Sequence, residues 1–138
     1  MKTSSYEAIV IFLLKKNKII FKREQAFEDL KGKKYLLRFD FVVFDKKTNE
    51  ISYILEVNGE QHYKPISIWG GLSGLKKRQG YDRKKIAYSL AKKIPLVCLP
   101  YWDINKSLTY EDIINNPEYL VKSIWHNHTT FKKREGSL

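Results

Sequence analysis

Apolar residues recur at three- and four-residue spacing near the start of the chain, where Tyr6, Ile9, Val10, Leu13 and Leu14 would share one helical face. Thr3, Ser4 and Ser5 offer N-caps for that helix, which ends near Lys15 to Asn17. Glu7 falls in its first turn, where the helix dipole favours a solvated carboxylate. Lys18 to Lys22 predicts a short strand or extended link, and Glu24 to Leu30 an irregular polar connection closed by Lys31-Gly32-Lys33-Lys34. Two β-prone runs follow, Arg38 to Phe44 and Tyr53 to Tyr63, and each carries one carboxylate among apolar neighbours: Asp40 and Glu56. The polar segment Asp45 to Glu50 between them predicts an antiparallel hairpin.

A carboxylate among Phe, Val and Ile is costly to desolvate unless it is paired, hydrogen-bonded or bound to a cation. Register decides whether the two meet, because directly opposed residues of an antiparallel pair point to the same face. Phe44 opposite Ser52 and Val42 opposite Ile54 would set Asp40 opposite Glu56. A slip of one residue would send Glu56 to the other face.

Beyond the hairpin, Lys64-Pro65 and Trp69 to Gly74 form a breaker-rich loop of a length that usually binds something. Leu75 to Lys92 has the pattern of a strongly cationic helix. Ile94 to Leu99, apolar throughout, predicts a strand buried on both faces and lying inside the sheet, reached through the helix as a crossover. Leu108 to Ile114 predicts a short helix, and Tyr119 to Trp125 a last helix before a polar tail. No repeat or linker divides the chain, so 138 residues make one domain.

Charge adds a partner to this picture. Lys and Arg outnumber Asp and Glu by 26 to 15, a net charge of +11 that favours a polyanion, nucleic acid first. No segment pairs a wide apolar face with a lysine-rich one, which argues against a membrane surface. The longest apolar run, Ala8 to Leu14, is too short to span a bilayer, and the N-terminus lacks a cleavable signal pattern. The expectation is a cytoplasmic, intracellular protein. The single cysteine, Cys98, excludes an internal disulfide and has the apolar neighbours of a packing residue. Trp69, Trp102 and Trp125 read first as core or loop anchors, although Trp69 in its Gly-rich loop has a second reading, stacking on a base or wedging a duplex.

The order of these features resembles the PD-(D/E)XK nuclease superfamily, in particular the branch of the very short patch repair endonuclease and related small phage and mobile-element nucleases. The resemblance is carried by Glu7, Arg38-Phe39-Asp40-Phe41, Leu55-Glu56-Val57-Asn58-Gly59-Glu60-Gln61-His62-Tyr63, Gly70-Gly71, Gln79 to Lys85 and Leu96 to Tyr101. It implies an α/β, restriction-endonuclease-like core over about residues 4–115, followed by a C-terminal helix and tail over 116–138: a central mixed sheet, an antiparallel hairpin plus a parallel strand, flanked by helices. It also implies hydrolysis of DNA phosphodiesters with Mg²⁺, or Mn²⁺, held by Asp40, Glu56 and the Val57 carbonyl and supported by Glu7. Oxygen ligands suit those ions. His62 would move a proton or stabilise charge, oriented by Asp82.

The superfamily's usual Glu-x-Lys pattern would place a lysine at position 58, where this chain has Asn58. Its electrophilic duty would fall to Gln61, His62 or a helix lysine such as Lys85. Phosphate contacts are expected from Lys64, Lys76, Lys77, Arg78, Arg83, Lys84 and Lys85, and lysines outnumber arginines 21 to 5, which favours recognition of backbone or structure over bases. Two rival readings stand beside the endonuclease: a DNA-binding module with a degenerate site, and a structure-selective nuclease acting on branched DNA as a homodimer. The adjacent letters His126-Asn127-His128 do not make the nuclease motif they spell, whose residues are separated along a ββα-metal unit.

Overall fold

The computed structural model describes residues 3–64 and 70–124. The N-terminal pattern forms helix α1, Ser5–Lys16, closed by a capping box in which Ser4 Oγ accepts from Glu7 N and Glu7 Oε1 accepts from Ser4 N. Strands β1 (Ile20–Lys31), β2 (Leu36–Phe44) and β3 (Ile51–Asn58) form an antiparallel meander, and helix α2 (Gly71–Ala91) then leads to β4 (Leu96–Pro100), parallel to β3. Helix α3, Tyr110–Asn115, closes the order, capped by Thr109 and Asp112. The fold is therefore α/β, with a mixed four-stranded sheet in the order β1-β2-β3-β4 flanked by helices.

Alternation along the inner strands sends side chains to two cores. Phe41, Leu55, Val57, Val97 and Leu99 pack with Val10 and Leu14 of α1 and Ile113 of α3. Phe39, Val42, Ile54, Leu96 and Cys98 pack under Ile86 of α2. Glu56 has the parity of Ile54 and its carboxylate meets Lys85, so it stands on the face that α2 covers. Phe39 breaks the alternation of β2 by packing on that same face, next to Asp40. Cys98 is buried and free, as a packing residue should be, and burial pushes its thiol pKa well up. Among the described residues no helix is long and apolar enough to cross a membrane.

Six expectations change. Glu24 to Leu30 is not an irregular connection but the second half of β1, disguised by Glu24 at φ 54° and by a register shift between Ala26 and Lys31. The hairpin's second strand stops at Asn58, and Glu60–His62 forms a 3₁₀ turn. Phe44 pairs with Ile51 rather than Ser52, because a bulge follows the Val43–Tyr53 pair; Val42 opposite Ile54 holds. Helix α2 starts at Gly71, four residues before the apolar pattern begins. β4 is an edge strand, and the segment expected to be the last helix covers that edge instead: Cys98 N donates to Tyr119 O and Val121 N to Leu96 O, each at 2.9 Å. Trp69, Trp125 and the His126-Asn127-His128 run lie outside the described residues.

Candidate active site

The ladder between β2 and β3 runs to the Phe41–Leu55 pair, and one more step sets Asp40 opposite Glu56. There the side chains replace the ladder bonds. Asp40 N donates to Glu56 Oε2 at 2.7 Å, and Val57 N donates to Asp40 Oδ2 at 2.8 Å. Val57 thus meets Asp40 through its backbone nitrogen. Burial first, then the charge of Glu56, pushes the Asp40 carboxyl well above its usual range, against the pull of Lys85.

Lys85 is the partner that the charge at this point requires. Its Nζ lies 2.7 Å from Glu56 Oε1, with only 15% of the lysine side chain and 7% of the glutamate exposed. Burial alone would lower the ammonium's pKa, but Glu56 and Asp40 together raise it, so Lys85 stays charged. Its place inside the site removes it from the phosphate-contacting surface expected of it. Asn58, at the position where the resemblance expects lysine, is buried and turns its amide to Tyr63 Oη at 3.4 Å. Tyr63 packs in turn on Trp102, ring centroids 5.0 Å apart, which makes Trp102 a loop anchor as expected.

Glu7 reaches the site from α1. Its Oε2 pairs with Arg23 at 2.9 Å while its other oxygen caps the helix, so the first-turn role and the site role coexist. Arg23 also donates to Thr3 Oγ1 and lies over the Phe41 ring. Glu7, Glu24 and Asp40, each partly buried, offer carboxylate oxygens that lie within 4.8 Å of one another. Burial, then the nearby Glu7, raises the Glu24 pKa. Sequence reading missed Glu24, and the available signal was its two-residue step from Lys22 within an extended polar run that the left-handed φ at Glu24 interrupts.

His62, on the 3₁₀ turn after β3, sets Nδ1 2.8 Å from Asp82 Oδ2 of α2, the pair expected from the sequence. Asp82 also lines a small cavity with Glu56, Asn58 and Lys85, so the His62–Asp82 pair adjoins the carboxylates. Arg78 Nε donates to the Gln61 carbonyl at 2.8 Å and Gln79 reaches the His62 carbonyl at 3.4 Å, which holds the turn against α2. Gln61 therefore has a structural role through its backbone. Arg78, Asp82 and Lys85 follow at helical spacing, one stripe of α2 aimed at the site.

Of the expected phosphate contacts, Lys64, Lys76, Lys77 and Lys84 are exposed, with Lys64 over the Tyr101 ring and Lys77 over Tyr81. Arg83 is half-buried. Four carboxylates, Glu7, Glu24, Asp40 and Glu56, thus converge against two cations, Arg23 and Lys85. That excess of negative charge and all-oxygen donor set fit a hard divalent cation such as Mg²⁺ or Mn²⁺. Compared with models of known protein families, with curated proteins and with solved structures, the chain matches none.

Proposed function

We propose that this protein is a metal-dependent DNA endonuclease of the PD-(D/E)XK kind, hydrolysing phosphodiester bonds at Asp40 and Glu56. The observation that carries the reading is the buried meeting of Asp40 with Glu56 beside Glu7 and Glu24, an arrangement that is electrostatically unfavourable without a further cation. A bound Mg²⁺ would supply polarisation of the phosphate and a lowered pKa for water. Asp40, with Glu24, Glu7 and Glu56 around it, would hold that ion. Lys85 is placed to neutralise charge developing on the phosphate, the duty that Asn58 cannot perform. The Asp82 carboxylate accepts from His62 Nδ1–H, which leaves Nε2 to take a proton from water. Exposed Lys76, Lys77 and Lys84 supply affinity through phosphates.

Supercoiled plasmid incubated with the protein should be nicked or linearised with Mg²⁺ or Mn²⁺ and left intact with EDTA, and Glu56→Gln should remove the activity. Cleavage that persists in EDTA, or at full rate in Glu56→Gln, refutes the site. The rival module reading draws on Asn58 and predicts binding without cleavage under every metal; Lys85 beside Glu56 weighs against it. A panel of duplex, nicked, mismatched and four-way DNA separates a structure-selective nuclease from a general one.

His62→Ala should lower the rate by about 10²–10⁴-fold, the usual worth of a positioned acid or base. Asp82→Asn should lower it less and alter the pH–rate profile, because Asp82 acts through the ring of His62. Parallel profiles for wild type and Asp82→Asn would remove Asp82 from that role.

A further inference from the structure

β3 and β4 are parallel, and the chain leaving their carboxyl ends carries His62, Lys64 and Tyr101, the end where such sheets meet their ligands. β2 runs the opposite way, so its first residues and the turn joining it to β1, residues 32–35, stand at that same end. The β2–β3 turn, with exposed Lys46 and Lys47, lies at the far end.

The β1–β2 turn is held in place. Gly32 N donates to Tyr35 O at 2.8 Å, and Lys84 Nζ of α2 reaches the Lys31 carbonyl at 3.5 Å. A Cβ at Gly32 would meet Leu37 Cδ2 at 3.0 Å and Tyr81 Cε1 at 3.4 Å, so glycine lets the turn close against α2. On its outer side the turn presents exposed Lys31, Lys33 and Lys34, with Arg38 further along β2. Tyr35 between them is 80% exposed, more than any other large apolar side chain among the described residues. Lys77, Tyr81 and Lys84 of α2 follow at helical spacing, the stripe adjoining the one that faces the site. An exposed aromatic ring on a tight turn that also carries exposed Lys33 and Lys34 combines a stacking surface with phosphate partners.

We infer that the β1–β2 turn is a second DNA-contacting element, in which Lys33 and Lys34 meet phosphates and Tyr35 packs on a base or sugar of the duplex flanking the cut. The inference rests on the DNA reading above and adds a contact apart from α2. Tyr35, at the foot of β2, precedes Asp40 by five residues, about 16 Å at the rise of a strand. The contact therefore falls roughly five base-pair steps from the bond attacked. B-form DNA admits a β-turn into its major groove, whereas the deep, narrow groove of A-form RNA does not.

The test is fluorescence anisotropy of the full chain on a labelled mixed-sequence duplex of about 30 base pairs, in EDTA, as salt rises from about 50 to about 200 mM. Lys33→Ala with Lys34→Ala should weaken binding and reduce the salt slope by about two. Lys46→Ala with Lys47→Ala, the same charge removed from the far end, should leave affinity within about twofold. Tyr35→Ala should weaken binding about tenfold without changing the slope, and Tyr35→Phe should restore it. Equal losses for the two lysine pairs, or wild-type affinity in both turn variants, overturn the turn's role and leave the DNA reading standing. Failure of the wild-type protein to bind the duplex overturns that reading itself. An RNA hairpin that outcompetes the duplex, with the turn variants losing RNA binding instead, overturns DNA as the partner of this turn.

Discussion

Asp40→Asn should abolish metal-dependent cleavage, a loss greater than the roughly 10–100-fold typical of residues that only support metal ligands. Its fold should survive, because Asn retains an oxygen to accept from Val57 N and no longer sets a like charge against Glu56. The pH dependence separates the charge effect from damage to the fold. Asp40 has a raised pKa in the native protein, so the native state holds a proton that the unfolded chain releases above about pH 4. Metal-free wild type should therefore lose stability as pH rises from there through the native pKa of Asp40, and keep the full penalty above it. Metal affinity should move the other way, rising with pH as that proton leaves. Thermal midpoints in EDTA across that range check the first statement, and Asp40→Asn should lack this part of the decline. A variant that cleaves at the wild-type rate, or declines identically with pH, would remove Asp40 from the centre of the site.

Lys85→Met tests the other half of the arrangement and should be the most destabilising single change at the site. It leaves Glu56, 7% exposed, and Asp40 facing each other without the ammonium that offsets their charge. Breaking a buried pair on one side costs about 3–5 kcal/mol. Cleavage should fall by about 10²–10³-fold if the ammonium stabilises charge on the phosphate. A readout without turnover is also available: Mg²⁺ should raise the thermal midpoint of Lys85→Met by more than that of wild type, because the ion restores a cation the variant lacks. Equal shifts in the two proteins would mean that Glu56 and the ion do not share a site. Lys85→Arg keeps the charge and should recover the stability.

Much of this site was legible because it is local. Asp40 and Glu56 stand out as carboxylates in apolar strands, and a six-residue polar turn implies the pairing of those strands, whereas the His62–Asp82 pair was expected from the resemblance to the nuclease superfamily. Glu24 escaped because its left-handed φ interrupts the strand pattern that would have placed it beside Asp40. Arg23 was hidden for a different reason: its partner Glu7 is sixteen residues away on another element.

By itself the sequence determined the capped first helix, the hairpin that carries the two carboxylates, the basic helix and the apolar strand after it, while leaving the hairpin register open. Each follows from periodicity, capping or turn chemistry within a dozen or so residues, and the net charge follows from counting. Tertiary structure alone decided that Lys85, one lysine among several on α2, turns inward to Glu56 while Lys84 turns outward to Lys31. It also decided that β4 is an edge covered by residues 119–121, and that the β1–β2 turn stands at the site's end of the sheet. These are matters of which surfaces meet. The choice among neighbouring helix lysines depends on where a distant pair of carboxylates has no other counterion, and no local pattern records that.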